Sequence, residues 1–162
     1  LAPEETVDLA DAVGADLEVN LFNRSEERIR AIADHLREYG ANGVKGETAE
    51  ARIPGIDHER AKVAEDGIYA ADVVLVPLED GDRAEALGEM GKTELVVDLN
   101  PLSRSAQVAT VPIVDNIVRA IPSITSHARD LAEDPEGRRD AIETFDAEAA
   151  LSDAEAAIRG GV

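Results

Sequence analysis

Apolar positions along this chain change their period several times, and each change marks an element. From Pro3 to Val13 the pattern is helical, with Pro3 tolerated in the first turn and Glu4 and Glu5 at the positive end of the helix. Leu17-Glu18-Val19-Asn20-Leu21-Phe22 alternates apolar and polar residues, which predicts a strand. Asn23-Arg24-Ser25 then turns the chain. Ser25 is placed to cap a helix from Glu26 to Tyr39 that buries Ile29, Ile32, Ala33 and Leu36 and stops at Gly40. From Ala41 to Val63 the period is lost, and Gly43, Gly46, Pro54 and Gly55 punctuate the chain. So long a loop inside a compact domain is usually functional or mobile.

The next stretch is built differently. Asp72-Val73-Val74-Leu75-Val76-Pro77 is apolar on both faces, which predicts a central strand of a parallel sheet. Gly81-Asp82 leads into a helix ending near Met90, and Thr93 to Leu99 is a second nearly continuous apolar strand. Val111 to Val114 forms a further short strand, followed by a helix through Ile117, Val118 and Ile121. Beyond Pro135 the chain is rich in Ala and Glu and reads as a peripheral helix or frayed tail. No internal repeat is apparent. Alternating strands and helices predict a doubly wound α/β fold, a Rossmann-like three-layer α/β/α arrangement with a mostly parallel sheet. Ligands bind such sheets beyond the carboxyl ends of the strands. Those ends are Asn20 to Arg24, Pro77 to Arg83, Asp98 to Ser105, and Asp115 with Asn116, each polar where the apolar run stops.

Charge changes the picture of partners more than of fold. Asp and Glu number 35 against 16 Lys and Arg, a net charge of -19. Lys45, Lys62 and Lys92 are the only lysines, so arginine carries most of the positive charge. The acids are spread along the whole chain, which fits adaptation to a salt-rich cytoplasm better than a local acidic binding surface. Phosphate repulsion makes nucleic acid an unexpected partner. With no cysteine there are no disulfides or thiolate metal sites. No apolar run approaches the roughly 20 residues that span a bilayer, and no basic region leads into an apolar stretch at the start, so the expectation is a cytoplasmic protein without membrane contact.

Familiar catalytic signatures are missing. Gly88-Glu89-Met90-Gly91-Lys92-Thr93 imitates a phosphate-binding loop, but only two residues separate its glycines and the order is helix then strand. Gly91 reads as a helix terminator. There is no GxGxxG after a predicted strand, no GxSxG and no HExxH, which weakens a dinucleotide or adenosyl-cofactor enzyme as a reading.

The chemistry is concentrated in three places. In Asp98-Leu99-Asn100-Pro101-Leu102-Ser103-Arg104-Ser105 a buried strand runs into a carboxylate, a carboxamide, hydroxyls and a guanidinium. Asp and Asn suit ribose or base edges, whereas Arg104 and Ser105 suit phosphate oxygens. An Asx-Pro turn with a surface arginine is the plainer alternative. Leu78-Glu79-Asp80-Gly81-Asp82-Arg83 sets three carboxylates at another strand end. Asp80 and Asp82 are weak candidates for magnesium, against a helix cap and a solvated acidic turn. The loop Arg52 to Lys62 gathers cations in a chain that otherwise avoids them, so Arg60 and Lys62 are candidates for an anionic substrate. His35 and His127 lie near helix ends and read as structural; only His58 sits in a candidate loop.

Several of these pieces, in this order, resemble the archaeal 4-phosphopantoate–β-alanine ligases (phosphopantothenate synthetases), in particular a haloarchaeal form. They are Val19 to Arg28, the Arg52 to Lys62 loop, Asp66 to Arg83, Asp98 to Ser105, and Val114-Asp115-Asn116. The resemblance covers roughly Leu1 to Leu131. It implies a nucleotide-binding ligase domain over residues 1–131, followed by an acidic helical or disordered tail over 132–162. It also implies an ATP-dependent, AMP-forming ligase of coenzyme A biosynthesis, joining 4-phosphopantoate to β-alanine through an acyl-adenylate. The products are 4'-phosphopantothenate, AMP and diphosphate, with Mg2+ expected alongside ATP and a homodimer expected as the assembly. Carried over by motif, ATP contacts fall on Asp98, Leu99, Asn100, Arg104, Ser105, Asn116 and Ile117; the candidates for substrate binding are Arg24, His58, Arg60 and Lys62, read from the residues themselves. Family members carry an N-terminal region with arginines that complete the ATP site, ahead of the point where this sequence begins. The expectation is therefore a fragment of the enzyme. The competing reading from another class is a nucleotide-sensing Rossmann-like domain without catalysis.

Overall fold

The computed structural model describes residues 2–77 and 81–161. Helix α1 (Pro3–Val13) and helix α2 (Glu26–Glu38) form as the periodicity predicts. The Ser25 side chain accepts the Arg28 N–H and caps α2. Ile29 and Ala33 point into a first core with Val7, Val19, Ala41 and Val44, and Ile29 is 0% exposed. Leu17, Leu21, Ile32 and Leu36 close its rim.

The predicted strand from Leu17 to Phe22 is not a ladder. Glu18 makes a single parallel bridge with Lys45, through Val19 N–H to Lys45 O (2.9 Å) and Lys45 N–H to Leu17 O (2.8 Å). Pairing stops at Gly46, whose φ of 99° turns the partner segment away. A side chain there would also strike the Val19 carbonyl. The long loop that follows has structure of its own: strands β1 (Ala51–Arg52) and β2 (Lys62–Val63) pair antiparallel across a short 3-10 turn, Glu59–Ala61. Ile53, Ile56, Ala61 and Val63 form a second core there with Ala86 and Leu87.

Strands β3 (Val73–Val76), β4 (Thr93–Asp98) and β5 (Val111–Val114) make a parallel sheet in the order β3-β4-β5. The central strand is thus β4, not β3 as its apolar faces predicted. Val73 is 60% exposed, because a continuous apolar run does not distinguish an edge strand from an inner one. Pro112 fits the edge position of β5, where a missing N–H is tolerated. Helices α3 (Gly81–Glu89) and α4 (Arg104–Val108) are the crossovers and pack against each other. That is what two same-handed crossovers moving one way across a sheet require. Helix α5 (Ile117–Ala132) packs on β4 and carries α1 with it, an arrangement supported by an Arg129–Asp8 ion pair. The result is a Rossmann-like three-layer α/β/α fold. The acidic tail forms helices α6 (Pro135–Thr144) and α7 (Ala147–Gly160), capped by Asp134 and Asp146, with no buried residue in either. Among the described residues no helix is long and apolar enough to cross a membrane.

Glu18 joins the two cores. Its carboxylate accepts the backbone N–H groups of Ala64 (3.0 Å) and Ile68 (2.7 Å), pinning the turn that leads to β3. Burial pushes its pKa up, while those two amides and the charges of Arg83 and Lys45 pull the other way without cancelling the shift. A raised pKa means that folded Glu18 takes up a proton at a pH where the unfolded chain does not. Its contribution to stability therefore grows as pH falls toward the ordinary value of 4.5 and is lost again as pH rises. Urea titrations of wild type and Glu18→Gln at matched salt should show the wild type gaining on the variant across that window. A wild type that loses ground instead would mean that the ionised form is the favoured one.

Candidate functional site

Parallel register sets where the strand ends fall. Val76 pairs with Val96, and Asp98 with Val114, so all three strands finish at one edge of the sheet. Asp98 lies beside the residue that precedes Asp115 and Asn116, and Gly81 and Asp82 open the helix that follows β3. The polar groups that the sequence placed on separate turns are therefore neighbours along a single rim.

The turn after β4 is built by its own side chains. Asp98 accepts the Asn100 N–H (2.9 Å) and the Ser103 hydroxyl (2.6 Å), and Asn100 accepts the Leu102 N–H (3.0 Å). Ser103 caps α4 by accepting the Ala106 N–H (3.1 Å). This is the Asx-Pro turn that the sequence allowed. It leaves Leu99 exposed, Ser105 buried in the first turn of α4, and Arg104 projecting from the first position of that helix. At the next strand end Asn116 caps α5 through Val118 N–H (2.9 Å). Ile117 then supplies a first-turn amide, a group with no acceptor inside its own helix. The Arg119 guanidinium, followed by the Asn116 amide, holds the Asp115 carboxyl below the ordinary carboxylate range.

The cation-rich loop meets this rim at one carboxylate. Arg60 donates to Asp82 Oδ2 (3.3 Å), and Arg104 pairs with Asp82 Oδ1, with Glu85 as a second, looser partner of Arg104 at 3.6 Å. The Arg60 side chain is only 11% exposed. Its guanidinium lies 5.1 Å from the centre of the Phe22 ring, and Phe22 lies 4.9 Å from the His58 ring. His58 in turn accepts the Arg60 N–H through Nδ1 (3.4 Å). A row of groups thus runs from Phe22 and His58 through Arg60 and Asp82 to Arg104.

The other predicted cations have local work. Arg24 donates to the carbonyls of Gly46 (2.9 Å) and Glu47 (3.3 Å), and Arg52 to those of Ile56 and His58. Lys62 Nζ pairs with Glu59 at 2.7 Å, while its carbonyl accepts from Asn20 (2.7 Å). Asn20 also accepts from buried Arg83 (2.6 Å), a residue that the sequence placed at a strand end without assigning it a role. Phe22 was missed too. Its signal was scarcity, since the chain has two phenylalanines in all. The imitation phosphate loop lies at the opposite end of the strands. Gly91 has a φ of 79° and ends α3, and Lys92 donates to the carbonyls of Tyr69 (2.8 Å) and Ala71 (2.6 Å) just ahead of β4.

Asp80 lies outside the described residues. Asp82 faces two guanidinium groups, which is not the posture of a cation ligand, and among the described residues no three His, Cys, Asp or Glu side chains are grouped for a metal. What the rim offers chemically is hydrogen-bonding turns beside two arginines held on one internal anion.

Residues 1–161 match the family described as phosphopantothenate/pantothenate synthetase. A 4-phosphopantoate–beta-alanine ligase of Thermococcus kodakarensis is 58% identical over 134 residues, covering 82% of this chain and 51% of that protein. The ligase of the same name from Thermococcus onnurineus is 56% identical with the same coverage. That of Methanosarcina mazei is 46% identical over 155 residues, or 95% of this chain and 61% of the relative. The chain thus spans about half the length of the curated relatives it matches.

Replacing Ser103 with Ala removes both the cap of α4 and the bond to Asp98. The expected loss is about 1–2 kcal/mol of stability by denaturant titration. A loss within error of zero would mean that the turn is held by other contacts.

Proposed function

The chain belongs to the phosphopantothenate/pantothenate synthetase family, and from that membership we propose that it supplies the ATP-binding domain of a 4-phosphopantoate–β-alanine ligase. The observation that carries the proposal is the meeting of Arg60 and Arg104 on Asp82 at the carboxyl edge of a parallel sheet. Two guanidinium groups from separate loops already share one anion there, and phosphate offers the same charge sign and a similar set of oxygens. The relatives' ligase names support the substrates, 4-phosphopantoate and β-alanine.

On this reading ATP lies along the rim. Asp98 and Asn100, held in their turn, face the ribose and base; the backbone of Leu99 and Ile117 and the side chain of Asn116 flank them; Arg104 and Ser105 take phosphate oxygens. Arg60 and His58 receive the substrate's anionic end, with Arg24 and Lys62 behind them shaping the loop. The chain's own task is to align the substrate carboxylate with the α-phosphate and neutralise the charge that builds there. Acyl-adenylate formation then expels diphosphate, and opening of the adenylate by the β-alanine amine releases AMP. Mg2+ would come with the triphosphate, taking most of its ligands from phosphate and water. A homodimer, a salt-rich cytoplasm as the setting of the -19 charge, and a boundary near residue 131 belong to the same proposal.

The full-length protein, incubated with ATP, 4-phosphopantoate and β-alanine in high potassium chloride, should release AMP only when both substrates are present. Nucleotide binding without substrate-dependent AMP would point to a sensing domain. Arg104→Ala should weaken ATP binding roughly tenfold to a hundredfold, the worth of a charge-assisted contact. Calorimetric titration measures this directly, and an unchanged affinity would remove Arg104 from the site.

A further inference from the structure

Arg104 reaches Asp82 by an unusual path. Its side chain lies directly on Gly81, the first residue of α3, which is buried. A Cβ at position 81 would stand 2.7 Å from Arg104 Cβ and 2.8 Å from Cγ, and closer still to Nε. Contacts that short are not tolerated by real side chains, and two of the three atoms belong to the stem near the backbone, not to its movable end. Helical glycine also costs about 1 kcal/mol relative to alanine. The residue that helix propensity favours is therefore the one that the Arg104 stem forbids. Asp82, next in sequence, then accepts from the guanidinium that this path delivers, with Arg60 on its other oxygen.

We propose that Gly81 is a positioning residue for Arg104. The missing side chain at the start of α3 lets the arginine stem lie flat, so that its head group meets Asp82 opposite Arg60. Gly81 touches no substrate itself. It acts through Arg104, and it makes the register between α3 and α4 a determinant of ATP affinity. This inference rests on the reading of Arg104 as an ATP contact.

The test is a double-variant cycle on the full-length protein, with ATP affinity measured by calorimetry for wild type, Gly81→Ala, Arg104→Gly and the combination, and for Arg104→Ala alongside. Gly81→Ala should weaken ATP binding by most of the roughly tenfold to hundredfold expected of Arg104→Ala. In the Arg104→Gly background, which removes the Cβ as well as the head group, Gly81→Ala should add less than about threefold, since the group through which it acts is gone. Two losses that simply multiply would overturn the proposal, as would unchanged affinity in Gly81→Ala beside a weakened Arg104→Ala. Unchanged affinity in Arg104→Ala would instead overturn the ATP reading of that residue, and this inference with it. Should Gly81→Ala fail to fold, adding Arg104→Gly removes the stem that the new methyl meets and should restore a cooperative melt. A double variant that also fails would show that position 81 is closed for another reason, and the proposal would fall.

Discussion

Hydrogen bonding between β3, β4 and β5 runs in one direction and in fixed register, so the ends of three separate apolar runs arrive at the same edge. Every polar group of interest depends on that alignment. Asp98 and Asn116 are far apart in sequence, yet the pairing of Asp98 with Val114 makes them near neighbours. Shifting β5 by one residue would exchange its two faces and send Asn116 away from the turn after β4. The helices contribute by starting at that edge: α3, α4 and α5 all begin there, and Ser103 and Asn116 cap the last two.

The sequence was most legible where one physical signal dominated. The cap at Ser25, the apolar runs of β3 and β4, and the helix-then-strand order that disqualified Gly88 to Thr93 are all local, and much of the fold follows from them; the cap at Ser103 and the short helix α4 were not read from the sequence. Two strand predictions went wrong for a reason that local pattern does not contain. Alternation from Leu17 to Phe22 reports burial of one face, and Val19 is indeed buried. The partner segment turns away at Gly46, so the alternation never becomes a ladder. Likewise the apolar faces of Val73 to Val76 predicted a central strand without fixing which neighbours lie beside it.

At the rim the residue types were legible and their partners were not. Arg24, Arg52, Arg60 and Lys62 look equivalent as letters, but geometry divides them. Arg24 and Arg52 are tied to carbonyls, Lys62 to Glu59, and Arg60 alone of the four reaches across to Asp82. Glu18 drew no attention, and Asn20 and Arg83 were placed at strand ends without a role of their own, because nothing in their spacing sets them apart. Their importance comes from long-range contacts, such as the Arg83–Asn20 bond, that arise only once the two cores are packed.

Asp82 has a thermodynamic consequence. An incoming polyanion that draws Arg60 and Arg104 toward itself strips a carboxylate of both its counter-charges and leaves it facing more negative charge. A small cation taken up from solution would then balance it. Ordinary arginine-lined sites shed ions on occupancy and weaken as salt is added. On the proposed reading of the rim as an ATP site, uptake would oppose that loss, and affinity would fall less steeply with salt than at a site made of bare arginines.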